Sequence, residues 1–433
     1  MNKYIYPKIG EVLYHEKLDN GLNVYIVPKE GFSKVYSTFV TKFGAATNKF
    51  VPYGEQEFIT VPLGVAHFLE HKMFEMEDGT DAINLFENIG AEANAFTDYY
   101  QTAYLATSIS SHEEVINLLL DYVQSPHFND ENVTREQGII EQELMMYMDK
   151  PSSRLYLGLM KNLYCENAVR EDIVGTVKSI KSINKEVLYT CYNTFYHPSN
   201  MYLMIVGDVN PEEMIKLVKD NQSKKNFKKP LDIRKQYVIE DNKVYKKTSK
   251  IYMDILMPKV SVGLKLPFKK YEKNELMISE MLLRILLENS FGVSSDTYQY
   301  LLDSQLVNTG YSYYLQMDEL SGFIKIDANT NKVNEFIEYI TKKLINLGTH
   351  KISEEDFQRM KKAMIGSFIK SYNNLEFIAN GYIDFLFKSG DLFEFFDLFE
   401  QVTVSDIEKF KDWFVERAIS NFIIYPNSFK NNK

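Results

Sequence analysis

The sequence is short of the residues that make covalent staples. Its 433 residues include 2 cysteines, Cys165 and Cys191, too few for a disulfide framework and not at metal-type spacing. Both fall in apolar, helix-like surroundings, so two buried thiols are expected. Glycine and proline are sparse, at 20 and 12, while Tyr and Phe together make up most of a 14% aromatic content. That balance excludes collagen-like repeats and low-complexity disorder. No run approaches the roughly 18 uninterrupted apolar residues a helix needs to cross a bilayer. The opening residues, Met1-Asn2-Lys3-Tyr4-Ile5-Tyr6-Pro7-Lys8, contain neither the apolar core nor the small-residue cleavage site of a secretory leader. A soluble, cytoplasmic protein with no membrane partner is therefore expected. Basic charge is also lacking. The formal net charge of −10 argues against a nucleic-acid partner, which requires a basic face.

Histidine is scarce as well, with 7 in the chain, yet two of them stand four residues apart in Gly64-Val65-Ala66-His67-Phe68-Leu69-Glu70-His71-Lys72-Met73-Phe74. On a helix, residues three and four apart share a face, so His67, Glu70 and His71 point into one small volume. Two neutral imidazoles at this spacing are a natural ligand pair for zinc. A carboxylate beside them can accept a proton from a water that the metal has acidified. Such H-x-x-E-H order is the inverse of the familiar H-E-x-x-H arrangement. At this histidine content it should arise by chance in roughly one such chain per hundred. The alternative, a helix with two solvated histidines, is the weaker reading.

A chain of this length exceeds one ordinary core, and its pattern divides it. Residues 11–46 alternate apolar and polar around a turn at Asp19-Asn20-Gly21, predicting a hairpin and a third strand. The histidine helix follows, then a short helix stopped by Gly90, the segment Glu92–Asp98 and a strand over 102–108. Helices are predicted at 112–124, 130–148, 153–166 and 185–196, a strand at 201–206 and a helix at 211–221. The stretch 224–250 is Lys- and Asn-rich and reads as a solvated linker with one strand. Beyond it the order repeats: strands in 251–266, helices at 274–289 and 295–302, strands in 310–328, then helices and a helical C-terminal run. Leu287-Glu288-Asn289 resembles Leu69-Glu70-His71, which sets Ile285 opposite His67 and Asn289 opposite His71. Likewise Phe128-Asn129-Asp130-Glu131 resembles Ile352-Ser353-Glu354-Glu355, and counting on from there sets Ser367 opposite Glu143. The expected architecture is α+β: a duplicated strand-helix unit with mainly antiparallel sheets. The expected domains are an N-terminal zinc-bearing domain over 1–222, a linker over 223–250 and a homologous C-terminal domain over 251–433 without metal ligands.

A catalytic zinc site needs a third protein ligand and one open position. The helix at 130–148 offers Glu131, Glu136, Glu141 and Glu143. Glu136 and Glu143 lie seven apart, within about 20° of each other around the helix, whereas Glu141 lies well round the other side. Ile139, Ile140 and Leu144 suggest that the shared face turns inward, where a carboxylate needs a cation to offset its burial.

At this point the chain resembles the pitrilysin/insulinase family of zinc peptidases, in its short branch similar to mitochondrial processing peptidase. The resemblance runs through His67-Phe68-Leu69-Glu70-His71, Asn94-Ala95-Phe96-Thr97, Arg135-Glu136 to Glu143, and Met204-Ile205-Val206-Gly207-Asp208. It implies one Zn2+ per chain held by His67, His71 and Glu143, with Glu136 supporting a ligand from behind and Glu70 as general base. It implies that a peptide substrate adds as a β-strand beside Ala93, Asn94, Ala95 and Phe96. It further implies two homologous domains forming half of a clamshell around unfolded peptides or flexible segments.

The sequence departs from the family pattern at one point. Active members grip the substrate backbone with an Arg and a Tyr seven residues apart in the second half. Tyr311, within Asn308-Thr309-Gly310-Tyr311, matches the Tyr, but Ser304 stands at the Arg position and no Arg occurs between Arg284 and Arg359. In paired bacterial members one subunit carries the zinc motif and a zinc-less relative carries the Arg/Tyr pair. A heterodimer with such a subunit is thus expected, with a homodimer as the alternative. Two rival readings are a non-catalytic assembly or binding subunit, and a maturation factor dedicated to one bacterial peptide or protein.

Overall fold

The computed structural model describes residues 1–230, 232–307 and 309–431, so Asn308 of the Tyr311 segment lies outside the described residues. The first sheet is built from β1 (Asn2–Tyr6), β2 (Glu11–Lys17), β3 (Asn23–Pro28), β4 (Val35–Thr41), β7 (Ala91–Thr97), β8 (Thr102–Ser108) and β9 (Met201–Gly207). A two-residue ribbon, β5 (Lys49–Phe50) with β6 (Ile59–Thr60), stands apart from it. Strand order is β1-β2-β3-β9-β4-β8-β7, with β3 and β9 parallel and every other pair antiparallel. Its central strands β4 and β9 are buried nearly along their length, as expected where both faces are covered.

The helices of the first half are α1 (Val65–Met73), α2 (Ala82–Asn88), α3 (His112–Val123), α4 (Asp130–Asp149), α5 (Pro151–Leu163), α6 (Val177–Ile180), α7 (Lys185–Phe195) and α8 (Pro211–Ser223). Those of the second half are α9 (Glu275–Phe291), α10 (Asp296–Asp303), α11 (Val333–Asn346), α12 (Glu354–Ser371), α13 (Leu375–Phe387) and α14 (Phe395–Gln401). The second sheet contains β10 (Thr248–Met253), β11 (Lys259–Lys265), β12 (Thr309–Met317), β13 (Gly322–Asn329) and β14 (Ile419–Pro426), in the order β10-β14-β11-β13-β12. That order restates β3-β9-β4-β8-β7 strand for strand, including one parallel pair, β10 with β14. The duplication inferred from the sequence is thus present in the topology, and both sheets are mixed α/β layers with mainly antiparallel pairing. In the second copy the position opposite His67 is the buried Ile285, and Asn289 accepts a hydrogen bond from His350 Nε2 at 2.6 Å. Among the described residues one group alone gathers as a metal site, and it belongs to the first copy.

Compactness divides the chain differently from the continuous halves. One unit comprises 1–144, 172–237 and 369–387; the other comprises 145–171, 238–368 and 388–433. Each sheet is therefore packed by a helix from the other half of the sequence. In the first unit α13 lies on β4 and β9, where Asn380 donates to the Tyr36 hydroxyl at 2.9 Å and Phe387 stacks edge-on against Tyr202. In the second, α5 lies on β11 and β14, and Gly158 is what lets it approach. A Cβ there would stand 2.2 Å from the Phe422 ring. The segment expected as a solvated linker is tied down instead. The Glu240 carboxylate accepts backbone N–H groups from Cys165, Glu166 and Asn167 and the Lys265 ammonium at 2.6 Å.

Two further expectations are corrected. The C-terminal run is not wholly helical: Ile419–Pro426 is the strand β14, pairing with both β10 and β11. A short apolar run buried on both faces has no alternation to separate it from a buried helix. Cys165 is part-exposed and lies beyond the end of α5, so only Cys191 is a buried thiol.

Candidate metal centre

The site is assembled from α1, the part of α4 up to Leu144 and the end of β7, all within the first unit. Helix α1 begins at Gly64, whose φ of 87° lies in the left-handed region. A Cβ at that position would sit 2.2 Å from the Val174 carbonyl oxygen, so the entry angle of the helix depends on glycine. Every residue of α1 but His71 is buried, including Lys72, whose side chain is fully enclosed. Its ammonium pairs with Glu75, and Glu75 in turn pairs with Arg135 of α4 at 2.6 Å. This relay spans from the end of α1 to the first turns of α4, the two elements whose separation sets the spacing of the candidate ligands.

Helix α4 opens with Asn129 accepting the Asn132 N–H at 2.8 Å and carries Asp130 and Glu131 in its first turn, where the helix dipole favours acids. Its buried face is Val133, Glu136, Ile140 and Leu144. Ile139, expected on that face, is 48% exposed. At 100° per residue it lies about 100° round the helix from Ile140 and about 140° from Leu144, outside the inner stripe.

The structure brings His67, His71 and Glu143 together, with one donor atom from each within 4.8 Å of the others. His67 Nε2 lies 3.7 Å and His71 Nε2 3.5 Å from Glu143 Oε2. A tetrahedral ion with ligands at about 2.0–2.1 Å has donor-to-donor edges of about 3.3–3.4 Å, so both imidazole-to-carboxylate distances lie close to those of a zinc site. Glu143 Oε2 and His67 Nδ1 are buried with no hydrogen-bond partner, and a buried carboxylate oxygen facing two imidazoles without a donor is costly unless a cation joins them. Behind the second ligand, His71 Nδ1 donates to Glu136 Oε1 at 3.0 Å. That bond fixes the tautomer with the Nε2 lone pair directed at the other two donors. Glu141 is turned outward and pairs with Lys181 at 3.1 Å.

The electrostatics sort these groups. Burial drives the His67 pKa down to about 3, with His71 adding a little, so His67 is a neutral imidazole. Burial alone would also lower His71, but the Glu136 hydrogen bond and the surrounding carboxylates outweigh it, and its pKa is raised. Glu70 is raised chiefly by burial, against the pull of a 2.6 Å hydrogen bond from Thr97 Oγ1. Part of that burial is aromatic. Tyr104 and Tyr122 are fully enclosed, stack edge-on at 5.8 Å, and lie within electrostatic reach of Glu70. A carboxylate with a raised pKa is suited to exchanging protons near neutrality.

Ala93, Asn94, Ala95 and Phe96 lie on β7, the edge strand of the first sheet, and Asn94 is exposed. Tyr311 lies on β12, the edge strand of the second sheet, where its hydroxyl donates to the Phe291 carbonyl at 2.9 Å. Ser304 ends α10 and donates to the Tyr300 carbonyl, while Lys332 Nζ reaches the Ser304 carbonyl at 2.8 Å. Sequence reasoning assigned no role to Thr97, Lys72 or the Tyr104–Tyr122 pair. Thr97 stood within a quoted motif, but its contact with Glu70 joins residues 27 apart in sequence, which no local pattern exposes.

Comparison with known proteins agrees with this geometry. Residues 61–177 match the family model described as insulinase (peptidase family M16), and residues 182–364 match the one described as peptidase M16 inactive domain. The chain is 43% identical over 405 residues to the zinc protease YmfH of Bacillus subtilis, covering 93% of this chain and 94% of that protein. It superposes on a crystal structure of an M16-like peptidase from Alicyclobacillus acidocaldarius with a TM-score of 0.91 and 32% identity, over 96% of this chain and 99% of that one. It shares the fold of the periplasmic protease PqqL from Escherichia coli, with a TM-score of 0.74 and 18% identity. There all of this chain covers 49% of the longer one.

Proposed function

The chain belongs to the insulinase family of zinc peptidases, peptidase family M16, and on that premise we propose that it is a zinc-dependent endopeptidase acting on unfolded peptides or flexible segments. One observation carries the reading: the convergence of His67 Nε2, His71 Nε2 and the orphaned Glu143 Oε2 beside a buried carboxylate of raised pKa, Glu70. His67, His71 and Glu143 would hold one zinc per chain, and Glu136 would keep the His71 ring in its ligating tautomer. When bound, zinc supplies the Lewis acidity that polarises a scissile carbonyl and acidifies water. The residues of the chain do the rest. Glu70 removes the proton of the attacking water and delivers it to the leaving amine, and its enclosed setting keeps competing solvent away. The unpaired outer edge of β7 accepts the substrate as an added strand, with Ala93, Asn94, Ala95 and Phe96 along it. Only extended, unfolded segments can pair in this way, which sets the substrate class.

We further infer that the chain works with a homologous zinc-less subunit. Two points support this. The chain is the size of one half of a longer relative with the same fold. Its second half also carries Ser304 seven residues before Tyr311 and has no arginine between Arg284 and Arg359 in sequence, and a bidentate guanidinium is the group best suited to fixing backbone carbonyls. Displacing a scissile bond by about 1 Å costs on the order of a hundredfold in rate. The test is metal analysis together with hydrolysis of an unstructured, internally quenched peptide, by the chain alone and mixed with its zinc-less relative from the same cell. About one zinc per chain is expected, with weak activity alone and strong activity in the mixture. Absence of bound zinc would overturn the metallopeptidase reading. Full activity alone, unchanged by the relative, would overturn the pairing.

A further inference from the structure

Thr97 is the last residue of β7, the strand proposed to receive substrate, and its hydroxyl touches the proposed general base. Thr97 Oγ1 lies 2.6 Å from Glu70 Oε2 and 3.3 Å from Thr102 Oγ1. Thr102 sits directly opposite Thr97 in the β7–β8 register and donates its single hydroxyl proton to the Phe43 carbonyl at 2.9 Å. Thr102 therefore has no proton for Thr97, and Thr97 has no acceptor in reach as close as Glu70. The hydroxyl proton of Thr97 is therefore committed to Glu70 Oε2. The turn behind this contact is rigid. Asp98 accepts N–H groups from Tyr100 at 2.6 Å and Gln101 at 2.8 Å, and its second oxygen accepts from the Gln101 side chain at 3.0 Å.

We propose that Thr97 is a positioning residue that locks the Glu70 carboxylate and ties its orientation to the β7 edge, so that a strand docked on β7 and the base beside it share one frame. This rests on the peptidase reading above. A carboxylate on a flexible side chain samples several χ3 orientations. A hydroxyl anchored on a strand selects one of them, and its contribution should appear in turnover and not in metal binding or ground-state docking.

The experiment compares wild type, Thr97→Val, Thr97→Ser and Thr97→Ala in the zinc-loaded active assembly, together with crystal structures of the metal-free wild-type, Thr97→Val and Thr97→Ser chains. Valine keeps the β-branched shape that suits a strand and removes only the hydroxyl. Removing a supporting hydrogen bond of this kind typically costs about 10–100-fold. The expected result is a kcat lowered by about that factor in Thr97→Val and Thr97→Ala, with KM and zinc affinity within about 2-fold of wild type. Thr97→Ser should return kcat to within about 3-fold. The Glu70 carboxylate should be rotated in the Thr97→Val crystal and native-like in Thr97→Ser. Wild-type turnover by Thr97→Val would overturn the proposal, as would equal loss in the serine variant with Glu70 unmoved. An inactive wild-type assembly would instead sink the peptidase reading, and this inference with it.

Discussion

Replacing Glu240 by glutamine removes one charge from a contact that joins the segment after the first half to the end of α5. In the native chain burial alone would raise the Glu240 pKa. The Lys265 ammonium and the N–H groups of Cys165, Glu166 and Asn167 more than offset this and hold it at about 2. A depression from 4.5 to about 2 corresponds to at most about 3 kcal/mol, which partial exposure reduces to about 2 kcal/mol. Glutamine also turns an amide NH2 toward a site built entirely of donors and leaves Lys265 buried without its counter-ion, so the total cost should be roughly 2–4 kcal/mol. Because the folded pKa is depressed, the contribution of Glu240 is complete above the unfolded value near 4.5 and is lost as pH falls toward about 2. The chain has 1 Trp, Trp413, and it lies in the same compact unit as Glu240. Its fluorescence therefore follows that unit through urea unfolding. The prediction is a lower urea midpoint for Glu240→Gln at pH 7, and a gap from wild type that narrows as the buffer is taken from pH 5 to pH 3. Equal midpoints at pH 7, or a gap that widens on acidification, would refute the reasoning.

Three other outcomes are expected. Glu143→Gln should weaken zinc binding sharply and Glu141→Gln barely, since Glu141 faces Lys181 on the outside, with Glu136→Gln between them at about 10–100-fold; competition against a fluorescent chelator measures all three. Gly64→Ala should destabilise the first unit by at least about 1–2 kcal/mol from the left-handed backbone alone, with a further loss from the contact with Val174, and should lower zinc affinity because α1 is displaced; thermal unfolding and the same chelator competition measure both. Zinc loading should fall as pH drops through the His71 pKa, which lies above 6.5, because the proton and the ion compete for one lone pair; loading that is flat from pH 8 to pH 6 would contradict this.

The parts of the site that could be read from the sequence were those whose logic is local. His67, Glu70 and His71 lie within a turn and a half of one helix, and Glu136 and Glu143 lie two turns apart on another, so helical geometry groups each set. The duplication was legible for a similar reason, because each copy repeats the same succession of strand and helix patterns. What escaped depends on distant pairing. β14 is a central strand whose apolar run carries no alternation, whereas β9, its counterpart, was marked by the Gly207-Asp208 turn that follows it. Ile139 seemed to point inward because it adjoins Ile140, but the inner stripe of α4 takes only one of the two. The exchange of α5 and α13 between the compact units, the clamp at Glu240 and the burial of Lys72 each depend on a partner remote in sequence, which neither composition nor periodicity encodes.

In the proposed function this zinc peptidase would use Glu70 to move the proton and His67, His71 and Glu143 to hold the metal. Glu70→Gln tests that assignment most directly, with zinc content and peptide hydrolysis measured on the same preparation of the active assembly. The account predicts about one zinc per chain, an unchanged unfolding midpoint and hydrolysis reduced by several orders of magnitude, because the amide keeps the shape but cannot accept the proton. Loss of zinc along with activity would make Glu70 a ligand, and near-native hydrolysis would remove it from the chemistry; either result would contradict the account.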